Sequence, residues 1–259
     1  MRHALITAGT KGIGRRVTEC LLTNGYRVTI NYFSDEQAVK DITDQWHHMK
    51  DRFQFVKGDV TKLPDVLRMV QTATAGFGPV DTLINNAGPF IFERKKLTDY
   101  SEAEWFKILN GNLTAVFRLV KNVLPMMRER QFGRIITYGF QNADDAPGWI
   151  DRGPFAAAKV GLASLTRTIA LEEAAHGITA NMVCPGIIRP DMKEATIQAA
   201  KASTSDRTPH GRSVTGEDIA RAILFLCQED SEMISGSIID LTGGVDVIHR
   251  YLPQFDSGH

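Results

Sequence analysis

The chain has 259 residues, 43% of them hydrophobic, and its thirty basic and thirty acidic residues cancel. That is apolar material enough for one α/β domain without metal or disulfide staples, and the balanced charge excludes a global field for nucleic acid or anionic membrane. Three scattered cysteines, Cys20, Cys184 and Cys227, exclude a disulfide framework or a zinc site; with no signal-peptide pattern and no bilayer-length apolar run, a cytoplasmic protein is expected.

Short β-rich runs alternate with helix-period segments along the chain. A strand at 3–8 runs into a glycine-rich turn and a helix at 14–24. Strand 27–32, helix 38–49, strand 53–57, helix 66–77 and strand 82–85 follow. A long helix is predicted over 102–130, then strand 134–138 and an irregular stretch at 141–154. Helix 156–175 and strand 179–183 come next. A second irregular stretch, 187–213, precedes helix 216–227 and a last strand at 237–241, and residues beyond 250 read as an exposed tail.

Strands that are nearly continuous apolar runs belong in a parallel sheet covered on both faces. Their alternation with helices predicts a doubly wound α/β fold, one domain over residues 1–250. Loops at the carboxyl ends of such strands border the ligand crevice, which points to 141–154 and 187–213. His47 and His48 are adjacent and face different ways on a helix, so no metal is expected. Arg94, Lys95 and Lys96 read as solvated loop charges.

The turn after the first strand reads Thr7-Ala8-Gly9-Thr10-Lys11-Gly12-Ile13-Gly14. Gly12 and Gly14 allow a tight turn and a close approach of backbone to a pyrophosphate resting on the helix N-terminus. This segment resembles the TGxxxGxG fingerprint of the short-chain dehydrogenase/reductase family, with Ala8 in place of the first glycine. Asn85-Asn86-Ala87-Gly88 resembles that family's NNAG motif, Gly58-Asp59-Val60 its adenine-holding acidic turn, and Cys184-Pro185-Gly186-Ile187 its Pro-Gly turn beside the nicotinamide. Asn181 and Asp240-Leu241-Thr242-Gly243-Gly244 match further landmarks, so the resemblance covers residues 1–248 in order.

The resemblance implies a Rossmann sheet and a dinucleotide held by Gly9, Lys11, Gly12, Ile13, Gly14, Asp59, Val60, Asn86, Ala87, Gly88, Lys159, Pro185, Gly186 and Ile188. NAD-specific folds place a carboxylate at the end of the second strand. Here Asn31-Tyr32-Phe33-Ser34 carries none before Asp35, and Lys11 is placed to meet a 2′-phosphate, so NADP(H) is favoured over NAD(H). Against this, no arginine follows the strand, and Lys11 also reads as a solvated loop charge.

Family members use Asn, Ser, Tyr and Lys for catalysis. By resemblance Asn112 holds a water in a proton relay, and Lys159 grips the nicotinamide ribose. From sequence alone, Asn112 reads equally as a polar residue that makes a helix irregular, and Lys159 as a solvated lysine. Phe140 stands where the serine is expected and Phe155 where the tyrosine is. Neither can donate a proton or stabilise an oxyanion, functions worth about 10²–10⁴ and 10²–10³ in rate. Tyr138, Gln141, Asp151 and Arg152 are candidate substitutes. A pocket lined by Phe140, Phe155, Phe90 and Trp149 suggests an apolar or aromatic ligand.

Three readings stay open. One is a carbonyl reductase similar to 3-oxoacyl-acyl-carrier-protein reductases, acting on a small-molecule carbonyl or acyl thioester with an atypical proton donor. Another is a catalytically degenerate cofactor-binding sensor or regulatory subunit. The third is a structural partner of an active homologue, paired through helices 102–130 and 156–175. The resemblance also implies a homotetramer or homodimer, and a substrate lid at 187–213.

Overall fold

The computed structural model describes residues 1–202 and 208–248. The expected tail lies outside the described residues, as do 203–207 of the expected lid. Among the described residues seven strands form one parallel sheet: β1 (His3–Ile6), β2 (Arg27–Tyr32), β3 (Phe53–Lys57), β4 (Thr82–Asn85), β5 (Gly133–Tyr138), β6 (Ile178–Pro185) and β7 (Ile238–Leu241). Their spatial order is β3-β2-β1-β4-β5-β6-β7. The chain moves outward from β1 through β3, then returns to lay β4 on the other side of β1. Leu5 is thus in register with Thr29 on one side and Leu83 on the other. The point of reversal, between β1 and β4, is where a doubly wound sheet opens a crevice.

The strands are apolar on both faces because helices cover both. Along β1, Ala4 and Ile6 enter one core and Leu5 the other, the alternation a pleated strand imposes. Ile135 and Ile136 divide in the same way on β5. One face is covered by α1 (Gly12–Thr23), α2 (Glu36–Gln45) and α8 (Gly216–Leu226), through Val17, Leu21, Ile42, Ile219 and Ile223. The other is covered by α3 (Leu63–Phe77), α5 (Ala115–Glu129) and α6 (Gly153–Glu172), through Val66, Met69, Leu119, Val123 and Leu162.

The expected single helix over 102–130 is interrupted. α4 (Glu102–Leu109) begins at a capping box of Ser101 and Glu104, and a π-helical turn, Asn110–Thr114, separates it from α5. The cause is local. A Cβ on Gly111 would land on the ring of Pro89, and Asn112 Nδ2 donates to the Pro89 carbonyl (2.8 Å) as well as to Ile108 (3.0 Å). The wider turn lets the helix take up that second partner. The second irregular stretch holds a short helix, α7 (Ile197–Ala202). Among the described residues no helix is long and apolar enough to cross a membrane.

Candidate functional site

β1 stops at Ile6, two residues before the expected end, because Thr7 to Thr10 fold into a turn that brings Ala8 to φ +51°. The turn is tied on both sides. Ala87 N donates to Thr7 Oγ1 (2.9 Å), and Asn86 Nδ2 donates to the carbonyls of Thr7 and Ala8 (both 3.1 Å). Asn31, buried at the end of β2, accepts from Ala8 N at its side-chain oxygen (3.2 Å) and from Gly9 N at its carbonyl (2.9 Å). Its amide nitrogen donates to Val56 and Gly58, so one side chain fastens the ends of β1, β2 and β3. Nothing in the local sequence singles out Asn31 beyond its lack of charge.

The glycines of this turn have different tasks. A Cβ on Gly9 would lie 2.7 Å from Ile6 Cγ2, and one on Gly14 would strike the Ala8 carbonyl oxygen and Asn86 Nδ2. Gly12, at φ +56°, faces outward, and a Cβ there would meet only the stem of Lys193, at 3.6 Å. Ile13 packs on the core beneath. Ala8 is the one position where a left-handed backbone carries a side chain in this turn. An Ala8→Gly variant is expected to be more stable by about 0.5–1 kcal/mol, raising Tm by about 2 °C in a thermal melt.

α1 begins without a side-chain cap and without an acid in its first turn, which leaves its amides and dipole facing the crevice. Gly12 N donates to Glu194 Oε1 at 2.7 Å, and Arg15 Nη1 stands 3.4 Å from Glu194 Oε2. A carboxylate from the segment after β6 therefore rests where the turn attracts negative charge. Glu194 was not among the sequence candidates, since nothing in its local pattern connects it to a turn 182 residues away.

Beside the turn is a cleft of about 460 Å³ lined by Ala8, Asn31, Phe33, Asp59, Val60 and Ala87. Asp59 Oδ1 is engaged by Thr61 N (2.9 Å) and Thr61 Oγ1 (2.7 Å), and among the described residues Oδ2 has no hydrogen-bond partner. At the end of β2, Lys11 pairs with Asp35, whose carboxylate also accepts from Ala38 N (2.9 Å) as the N-cap of α2. Lys11 holds that carboxyl below its usual range. The lysine expected to meet a 2′-phosphate is thus already partly neutralised.

Beyond the carboxyl ends of β4 and β5 the chain packs a cluster of aromatic rings. Phe90 meets Phe155 edge-on (4.8 Å between ring centroids), Phe140 lies on Trp149 (5.0 Å), and Phe140 and Phe155 are 6.4 Å apart. Lys159, one helical turn after Phe155 on α6, is buried with its Nζ 5.5 Å from the Phe155 ring centroid. Among the described residues it has no hydrogen bond or ion pair. Burial lowers its pKa from 10.5 to about 8, with Cys184 opposing the shift. Pro185 ends β6, Gly186 N donates to the Leu241 carbonyl (3.0 Å) with its Cα side tight against Thr242, and Ile188 packs on the core. Asn112 Oδ1, pressed against Gly88, is buried and has no hydrogen-bond partner among the described residues.

The candidate proton donors fare differently. Tyr138 lies two residues before Phe140, and the same side of the strand was expected. It is instead packed into the opposite core, because the strand ends at Tyr138 and the chain turns at Gly139. Its hydroxyl is buried and unpartnered, and burial raises its pKa. Arg152 donates to the carbonyls of Ile91, Phe92 and Glu93, clamping the loop after β4. Asp151 is paired with Arg94 and Lys96, and Lys95 with Glu104 and Glu93, so the basic cluster forms ion pairs where solvated charges were expected. Gln141 Oε1 accepts from Val247 N.

A helix N-terminus that attracts a carboxylate, a cleft at the switch point and a glycine turn shaped by its neighbours have the chemistry to receive a dinucleotide's phosphates. Residues 7–246 match the family described as enoyl-(acyl carrier protein) reductase. A Bacillus subtilis (strain 168) protein provisionally named oxidoreductase YtkK is 61% identical over 251 residues, 96% of this chain and 98% of that one. The 3-oxoacyl-[acyl-carrier-protein] reductase FabG of Haemophilus influenzae is 34% identical over 243 residues, 93% and 97% of the two chains. A solved Bacillus thuringiensis protein provisionally described as a 3-oxoacyl-reductase has a TM-score of 0.90 and 58% identity, covering 96% of this chain and 100% of that one. A variant of the actinorhodin polyketide ketoreductase, solved with NADPH, has a TM-score of 0.80 and 28% identity, covering 94% and 96%.

Proposed function

The chain belongs to the short-chain dehydrogenase/reductase family of oxidoreductases, and from that premise we propose that it binds NADP(H) in preference to NAD(H) and reduces the carbonyl of a small molecule, of the 3-oxoacyl thioester class, in the cytoplasm. The observation that carries the reading is the uncapped N-terminus of α1, set at the switch point and already attracting a carboxylate. Gly9, Lys11, Gly12, Ile13 and Gly14 receive the phosphates, Asp59 and Val60 the adenine, and Asn86, Ala87 and Gly88 the middle of the cofactor. Pro185, Gly186 and Ile188 hold the nicotinamide, and Lys159 its ribose. When bound, the reduced nicotinamide supplies a hydride to the carbonyl carbon.

The chain's own residues exclude water and orient the substrate. Phe90, Phe140, Trp149 and Phe155 form a dry wall on which an apolar acyl chain or aromatic group packs. Phe140 and Phe155 stand at the family's serine and tyrosine positions, so the proton donor is atypical. Asn112, with its unpartnered Oδ1, holds a water near Gly88. The segment 187–213 serves as lid on a single domain. Assembly as a homodimer or homotetramer is supported by the exposed Phe106, Phe117 and Leu171 on the outer helices.

NADPH preference is supported by Lys11, by the uncharged end of β2 and by the NADPH-bound ketoreductase relative. Asp35 works against it, and Asn caps a helix as well as Asp does. Asp35→Asn is therefore expected to free Lys11 and tighten NADPH binding about two- to fivefold, with NADH unchanged, in a fluorescence titration. The function itself is tested by NADPH oxidation with a panel of 3-oxoacyl thioesters and activated ketones. The two phenylalanines favour one second reading, a cofactor-binding sensor or regulatory subunit, which predicts tight NADPH binding with no turnover of any carbonyl.

A further inference from the structure

We propose that Lys159 is itself the proton donor of this reduction, its ammonium passing a proton from Nζ to the carbonyl oxygen of the substrate. The proposal deepens the reductase reading and rests on it.

Reducing a carbonyl leaves a pair of electrons on oxygen that must be met by a proton, and the other candidate donors are disposed of by their geometry. Tyr138 is sealed in the opposite core. Arg152 is spent on three backbone carbonyls and does not release a proton in any case. Asp151 is held ionised by Lys96 and Arg94. Gln141 carries no acidic proton. Lys159 remains, on α6 beside the aromatic cluster, with the ring of Phe155 as its neighbour and, among the described residues, no acid or hydroxyl bonded to its ammonium.

The chemistry suits that placement. A donor works best with a pKa near the working pH, and burial brings Lys159 down to about 8. The groups that bear on it are few. Cys184, on β6, is kept a thiol by burial and by Asp240 on β7 behind it. Asp144, on the short turn Ala143–Asp145, acts on both but is itself paired with Arg167. Asn112, from the π-helical turn, carries no charge.

In the balanced step, the carbonyl carbon gains the C–H bond from the dihydronicotinamide and the π pair of C=O moves onto oxygen. The Nζ–H bond breaks with its electrons left on nitrogen, and the proton forms the O–H of the alcohol. The products are an alcohol, an oxidised nicotinamide and a neutral lysine amine, which takes a proton from water before the next turnover.

The test has two parts. In the cofactor-free protein, ¹⁵Nζ NMR with Lys159→Met used for assignment is expected to show this lysine titrating near pH 8; titration at its ordinary value of 10.5 overturns the proposal. In turnover, kcat is expected to be level below pH 8 and to fall tenfold per pH unit above it. Lys159→Arg keeps the charge that faces the ribose but cannot release a proton. With its NADPH affinity titrated separately, its kcat at saturating NADPH is expected to drop about 10²–10⁴-fold. Lys159→Met, uncharged and of similar length, is expected to lose kcat likewise. Turnover that survives in both variants, or a flat profile from pH 7 to 9.5, overturns the lysine's role alone. Bound NADPH with no turnover by the natural chain overturns the reductase reading and this proposal with it.

Discussion

The double variant Phe140→Ser/Phe155→Tyr is expected to reduce 3-oxoacyl thioesters about 10²-fold faster than the natural chain at pH 7. Tyrosine at 155 would add a hydroxyl to a ring whose centroid is 5.5 Å from Lys159 Nζ, and that ammonium lowers the cost of releasing the phenolic proton. Serine at 140 would add a hydroxyl donor where position 140 now has none. The gain comes with a loss. Phe140 is only 3% exposed and packs on Trp149 and Phe155, so truncating it opens a cavity worth about 3 kcal/mol, or about 6–12 °C in Tm. Steady-state NADPH oxidation at 25 °C, beside Phe140→Ser alone, separates the two effects, since the single variant bears the packing loss without the acid. Equal rates for natural and double-variant chains would mean that the substrate oxygen lies out of reach of position 155.

Gly14→Ala is expected to remove measurable NADPH binding and to lower stability by about 3 kcal/mol. The added methyl would meet the Ala8 carbonyl oxygen, which is backbone and cannot rotate away, and the Asn86 side-chain nitrogen. Relief requires α1 to separate from the turn or Asn86 to abandon the carbonyls of Thr7 and Ala8. Either movement spoils the anion site, so affinity and stability fall together. Fluorescence titration with NADPH and a urea melt check both halves. A variant that loses stability but binds normally would show that the turn's shape is not what receives the phosphates.

The sheet was legible because its strands are continuous apolar runs, and β2, β3 and β4 begin and end where the sequence pattern places them. The helical boundaries were less so. Periodicity cannot register that Asn112 has a second acceptor on Pro89, a residue 23 positions away, so it gives one continuous helix, although Asn112 by itself reads as a residue that makes the helix irregular, as the π-helical turn shows. The glycine turn was legible from its spacing. What Lys11, Arg152 and Asp151 do was not, because each is decided by a partner distant in the chain: Asp35, the loop after β4, and Arg94 with Lys96. Tyr138 misled for a related reason. The alternation of a strand holds only while the strand continues, and β5 ends on that residue.

The contact between Gly12 and Glu194 gives ligand entry the character of an exchange. A phosphate bound at Gly12 N, as proposed, would take the place of a carboxylate supplied by the same chain. The free energy seen in a titration is then the difference between two anions on one donor, smaller than the strength of the new contacts alone. Because Glu194 is carried by the segment after β6, letting go of Gly12 and loosening that segment are one event.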